Sequence, residues 1–315
     1  MEKKVRRLHK ISGSLLISLP KQWTDQYKLG KGSSVEIGFK EDGTLMVAPV
    51  IDDKKKRTEA NIVYDKFFVR RFFKEYFSGT DIIKVIFNDK PAGEGKRKVY
   101  EFVQDSLMNV HVTEESQQGM VLQNFRMEGI SVKSCFQRMG HIVSSMFESV
   151  LDDEAEGMED KERNLTKFYY MTIRLIRQYL QEGGYVYAQD VSLIEAMDYR
   201  LASEKLERTA DELKSLSANM QNDGVKDFCK KVHYDYSSVL SSFINQDFDR
   251  AIQMWDSYRK RLKEAESVKG RLLRAKDFKS MECLMSCLRI LDYAKDISNL
   301  VRGKGEKEKL LKHEE

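Results

Sequence analysis

The stretch Gly13-Ser14-Leu15-Leu16-Ile17-Ser18-Leu19-Pro20-Lys21-Gln22-Trp23, continued by Leu29-Gly30-Lys31-Gly32-Ser33-Ser34-Val35-Glu36-Ile37, decides how the start of this chain folds. Leu15, Ile17 and Leu19 alternate with Leu16 and Ser18, and Val35, Ile37 and Phe39 alternate with Glu36 and Gly38. A period of two belongs to strands. Asp42-Gly43 gives a turn signal ahead of a third strand, Leu45 to Ala48, and Pro20 opens a helical turn carrying Trp23 and Tyr27 that Gly30 can end. A unit of about fifty residues with so few strands holds too little core to stand alone, and dimerisation relieves that shortage.

Charge is uneven around this unit. Lys3, Lys4, Arg6, Arg7, Lys10, Lys21, Lys28 and Lys31 against Glu2 and Asp25 give 8 − 2 = +6 in residues 1–31, while the whole chain of 315 residues carries +4, leaving −2 for the remainder. A positive field so placed fits a polyanionic partner. The quoted stretch closely resembles the AbrB/SpoVT family of swapped-hairpin domains across nearly all of residues 1–52. That resemblance implies an interleaved homodimeric β-barrel presenting basic residues to double-stranded DNA, with Arg6, Arg7, Lys10, Ser12, Ser14 and Lys21 as the contacts. Lysine and arginine supply affinity by neutralising phosphates and releasing counterions, and arginine can also read guanine in the major groove. The same fold also serves as an oligomerisation or toxin-binding module.

Outward from here the chain changes character. Asp52-Asp53-Lys54-Lys55-Lys56-Arg57 reads as a solvated linker, and Ile62 to Phe77 as an aromatic-rich helix whose cations snorkel from a packed face. Ile82 to Phe87 reads as a strand, Pro91 to Lys96 as a loop, Lys98 to Met108 as a helix, and Val110 to Thr113 and Met120 to Leu122 as two more strands. These form a small α+β connector over 53–128. From Ile130 to Val301 apolar residues recur at helical spacing, for example Ile194, Met197 and Leu201, then Leu206, Ala210 and Leu213. Breaks near Asp152, Gly183-Gly184, Asp223-Gly224, Asp247 and Gly270 divide this region into six helices, which a bundle over 129–301 would bury. The tail 302–315, rich in Lys, Glu and Gly, is expected to fray.

Two segments of the helical region are alike: Leu206-Glu207-Arg208-Thr209-Ala210-Asp211 and Leu291-Asp292-Tyr293-Ala294-Lys295-Asp296. Each lies on the third helix of a three-helix set, and each places two carboxylates four residues apart on one face. Such pairs can offer oxygen ligands to a cation, or can be neutralised by Lys205, Arg208, Arg289 and Lys295 in ordinary salt bridges. The first segment keeps four of the six residues of Leu-Glu-Arg-Ile-Gly-Asp, the form in which the PhoU family carries its E(D)xxxD motif. Asp153-Glu154-Ala155 and Asp247-Phe248-Asp249-Arg250-Ala251 also resemble turns of that family. The resemblance implies an all-α PhoU-like bundle of two three-helix repeats, and divalent or iron-type metal at Glu207, Asp211, Asp292 and Asp296, with Glu159, Glu162 and Asp256 as further candidates.

No catalytic constellation rises above background. The five histidines have no metal spacing, there is no P-loop, dinucleotide fingerprint or nucleophile elbow, and Gly93-Glu94-Gly95-Lys96 lacks the rest of a phosphate cradle. The chain is expected not to be an enzyme. Cys135, Cys229, Cys283 and Cys287 are expected to be reduced core thiols, and the absence of a signal-like or membrane-length apolar run predicts a cytoplasmic protein. The combined reading is a multidomain phosphate-uptake-type transcriptional regulator that binds DNA through its first domain and senses a signal or partner through the bundle. One alternative is an interaction protein that inhibits a phosphate transporter or sensor kinase, using the β domain only to dimerise; another is an antitoxin-like toxin-binding surface.

Overall fold

The computed structural model describes residues 5–11, 13–39, 45–50, 57–88, 93–125, 127, 129–181 and 191–303. The Asp42-Gly43 turn, the Gly183-Gly184 break, most of the linker and the tail beyond Gly303 lie outside them. The chain divides into two compact units, 1–56 and 57–315.

In the first unit β1 (His9–Ile11) pairs antiparallel with β2 (Ser14–Leu16), a one-turn helix α1 spans Lys21–Gln26, and β3 (Val35–Phe39) pairs antiparallel with β4 (Leu45–Pro49). The turn between β1 and β2 needs Gly13, whose φ of +91° lies where a side chain is strained. None of this unit's described side chains is buried. Ile11, Leu15, Ile17, Ile37 and Leu45 are all more than half exposed.

The second unit opens with an α+β layer. A four-stranded sheet has the order β5 (Glu59–Val63), β6 (Ile82–Ile86), β8 (Gly119–Asn124), β7 (Val110–Glu115); β5 and β6 are parallel and the other pairs antiparallel. Helices α2 (Phe68–Phe77) and α3 (Gly93–Ser106) connect the strands. Their core gathers Phe68, Phe72, Tyr76, Ile83, Val99 and Leu122. Two expectations are corrected here. Residues 62–67 are not helical: Ile62 and Val63 belong to β5, clamped by Thr58 to the Asp81 carboxylate (N to Oδ2 2.9 Å), and α2 starts only after Asp65 accepts from the Phe67 amide at 2.8 Å. Two β-branched residues favour the strand once a parallel neighbour is present.

Nor is Gly93 to Lys96 a loop. It is the first turn of α3, tied down by Lys96, which donates to Glu115 Oε1 at 2.9 Å and to the Ser116 carbonyl at 2.6 Å. Gly95 lies so close to two rings that a Cβ there would sit 2.9 Å from both Phe87 and Tyr64.

Six helices follow: α4 (Val132–Leu151), α5 (Met158–Gln181), α6 (Leu193–Ser217), α7 (Asp223–Asn245), α8 (Phe248–Ala275) and α9 (Phe278–Ser298). Side chains cap their starts: Ser131 and Ser192 form reciprocal capping boxes, and Asn222, Asp247 and Asp277 accept from amides of the first turn. The break placed near Gly270 is displaced. α8 runs through it and stops at Lys276, whose φ of 54° turns the chain before Asp277 caps α9. One glycine costs a long helix only about 1 kcal/mol, which its packed face outweighs. One core runs through all six helices and includes Phe136, Leu165, Leu206, Phe243, Leu272 and Leu291. All four cysteines are free and buried. The expected fold class of small β unit, α+β segment and helical bundle is what the chain adopts.

Candidate functional site

Two places carry the functional residues read from the sequence. In the first unit Arg6 and Arg7 precede β1, Lys10 lies on β1 opposite Leu15, Ser14 lies on β2 opposite Ile11, and Lys21 begins α1. All five are exposed; Ser12 lies outside the described residues. Strand register sends alternate residues to opposite faces, so Lys10 shares a face of the β1–β2 hairpin with the uncovered Leu15, and the uncovered Ile11 falls on the other face beside Ser14.

The second place is the pair of third helices, α6 and α9. Glu207 and Asp211 face α5, where Glu162 stands. Burial, then Asp211 and Glu162, push the Glu207 carboxyl up to about 7, and burial followed by Glu162 raises Asp211. The nearby cations are engaged elsewhere: Arg208 with Glu204 at 2.9 Å, Lys214 with Glu162 at 3.4 Å and Lys205 with Asp296 at 2.9 Å. Among the described residues no ion pair reaches Glu207 or Asp211. Tyr170 lies against this cluster, and its ring packs 4.5 Å from that of Phe73 and 5.9 Å from that of Phe77 on α2. The acidic cluster therefore sits behind the aromatic joint between bundle and α+β layer.

The pair on α9 has a different environment. Asp292 accepts from the Tyr258 hydroxyl at 2.7 Å and has Lys295 at 3.9 Å, while Asp296 is held by Lys205. The hydrogen bond to Asp292 pushes the Tyr258 phenol up to about 12. Of the four cations expected to neutralise the pairs, Lys205 and Lys295 do so, but only on α9; Arg208 goes to Glu204 and Arg289 to Glu212 at 2.6 Å. Glu159 and Asp256 are exposed and join neither pair. Among the described residues no three His, Cys, Asp or Glu side chains are grouped to hold a metal ion. As placed, the four carboxylates do not fit a shared metal site, and no chemistry is derived through one.

Sequence reasoning missed Arg174. Buried on α5, it donates to the Tyr76 carbonyl and, at 3.4 Å each, to those of Gly79 and Thr80, and its guanidinium lies 4.8 Å from the Tyr76 ring. It thus caps the C-terminal end of α2. The available signal was a lone cation inside the apolar run Met171-Thr172-Ile173-Arg174-Leu175-Ile176.

Residues 8–55 match the family model described as antidote-toxin recognition MazE, bacterial antitoxin. Among solved structures the chain is similar to PhoU from Pseudomonas aeruginosa, at 18% identity, covering 54% of this chain and 93% of that one with a TM-score of 0.38. No curated protein matches the chain at a significant level. Residues 8–55 are thus similar to antitoxin-type domains, a helical bundle follows them in the chain, and no helix among the described residues is long and apolar enough to cross a membrane.

Proposed function

We propose that this protein is a cytoplasmic, homodimeric transcriptional regulator of the phosphate-uptake type, not an enzyme. Its N-terminal unit binds double-stranded DNA, and its bundle receives a signal or a protein partner such as a phosphate transporter or sensor kinase. The observation that carries this is the N-terminal unit itself. It has no buried side chain among its described residues, its apolar residues are uncovered, and Arg6, Arg7, Lys10 and Lys21 are exposed beside them. A second copy would bury the apolar residues at about 25 cal/mol per Å² and leave the cations outward. The sensing half is supported by the two helices that carry the acidic pairs, one of which has carboxylates at Glu207 and Asp211 that no ion pair among the described residues reaches.

The family model matched at 8–55 favours a second reading, in which the same surface grips a toxin protein instead of DNA. Binding of full-length protein to its own upstream DNA and to random duplex, at two salt concentrations, separates the two. Specific binding that weakens with salt and is lost in Arg6→Ala/Arg7→Ala supports the regulator. Equal affinity for random duplex rejects it and turns the search to protein partners.

A further inference from the structure

Beyond the first unit, positive charge is concentrated along the second half of α8, where residues 259–276 carry 8 − 2 = +6, and in the segment that leads into α2. Between Lys54 and Glu75 the run Lys54 to Arg57 contributes four cations and Lys66, Arg70, Arg71 and Lys74 four more, against Glu59, Asp65 and Glu75, so 8 − 3 = +5. Added to the +6 of residues 1–31 this makes +11, and a chain total of +4 leaves 4 − 11 = −7 for everything else.

The structure shows where the second group points. α2 buries Phe68, Phe72 and Tyr76, so Lys66, Arg70, Arg71 and Lys74 fall on the opposite side, and all are exposed. Core packing accounts for Phe68, Phe72 and Tyr76, while Lys66 lies 5.0 Å from the half-exposed Phe67 ring. Arg71 meets Asp65 at 2.7 Å and Lys74 meets Glu75 at 3.1 Å, with Lys74 79% exposed. Exposed pairs of this kind are worth about 0–1 kcal/mol and yield readily to a phosphate.

The chain between the units is long enough to let both groups act on one duplex. From Pro49, the end of β4, to Glu59, the start of β5, there are 59 − 49 = 10 residue steps, which span at most about 35 Å. That is roughly one turn of DNA, which carries a phosphate charge every ~1.7 Å of its axis. We propose that the exposed basic face of α2 is a second contact to the phosphate backbone, flanking the stretch occupied by the N-terminal unit. The contact adds salt-dependent affinity, and it rests on the DNA-binding reading above.

The test compares full-length protein with Arg70→Gln/Lys74→Gln on two duplexes, one trimmed to the protected core and one extended by a helical turn on each side. Affinity is measured across a salt series, and circular dichroism checks that the exposed substitutions leave the fold intact. On the extended duplex the slope of log affinity against log salt should flatten in the variant by about 0.9 for each phosphate it no longer neutralises, with no change on the trimmed duplex. Identical slopes for both proteins on the extended duplex would overturn the inference while leaving the N-terminal reading standing. If the unsubstituted protein binds neither duplex, both fall together, and Arg6→Ala/Arg7→Ala then has nothing left to abolish.

Discussion

Arg174→Met removes the buried guanidinium that joins the bundle to the α+β layer while keeping most of its aliphatic volume. The side chain makes one short and two 3.4 Å hydrogen bonds to the carbonyls that end α2 and lies over the Tyr76 ring. A hydrogen bond to a charged group contributes about 1.5–3 kcal/mol net, and a desolvated cation over a ring up to about 2. The guanidinium's own desolvation offsets part of this, so about 2–3 kcal/mol is the expected loss. For a unit of this size 1 kcal/mol moves the melting point by roughly 2–4 °C, which gives a fall of about 5–10 °C. Calorimetry of the full chain should also show the α+β layer melting ahead of the bundle, because the tie between them is gone. A fall under about 1 °C, or full rescue by Arg174→Leu, would refute the assignment of Arg174 as a helix-capping tie.

The remaining expectations concern two glycines and one acid. Gly95→Ala should destabilise by about 1–3 kcal/mol despite alanine's higher helix propensity, because its Cβ meets two rings at 2.9 Å. Gly270→Ala, with nothing within 4 Å of its Cβ, should stabilise by about 1 kcal/mol; chemical denaturation reads both signs. For Glu207, a folded pKa of about 7 against 4.5 unfolded means its stability contribution is full below pH 4.5 and is lost as pH rises through 7. The gap of 7 − 4.5 = 2.5 units corresponds to about 3 kcal/mol at most, which solvent screening reduces to roughly 1. Melting curves between pH 5 and 8 should therefore flatten in Glu207→Gln, and an unchanged pH profile would remove Glu207 as the titrating group.

The six-helix pattern was legible because amphipathic periodicity is local, and because Asp247 and Asp223 mark real helix starts. What escaped depended on neighbours distant in sequence. Ile62 and Val63 look helical when read with the aromatics that follow, and only the β6 neighbour twenty-odd residues on makes them a strand. Gly95 looks like flexible punctuation until Tyr64 and Phe87 are brought beside it. Gly270 misled in the opposite direction: glycine is a helix stop when it supplies a left-handed turn, and here Lys276 supplies it at φ 54°. Arg6, Arg7, Lys10 and Lys21 are exposed, and what they touch is set by a second molecule, which no local pattern in the sequence encodes.

The two acidic pairs carry the same point into function. In sequence they are near copies, each with basic residues one or three positions away, so each could be neutralised locally. The structure separates them through the second helix of each set. α8 brings Tyr258 to Asp292, and α6 lends Lys205 to Asp296, so the α9 pair is satisfied by neighbours fixed in the fold. α5 brings Glu162 to the α6 pair, a third carboxylate where α8 brought a phenol, and Arg208 turns away to Glu204. Burial without an ion pair among the described residues raises the Glu207 and Asp211 carboxyls, and they lie against Tyr170, whose ring meets Phe73 and Phe77 where the bundle joins α2.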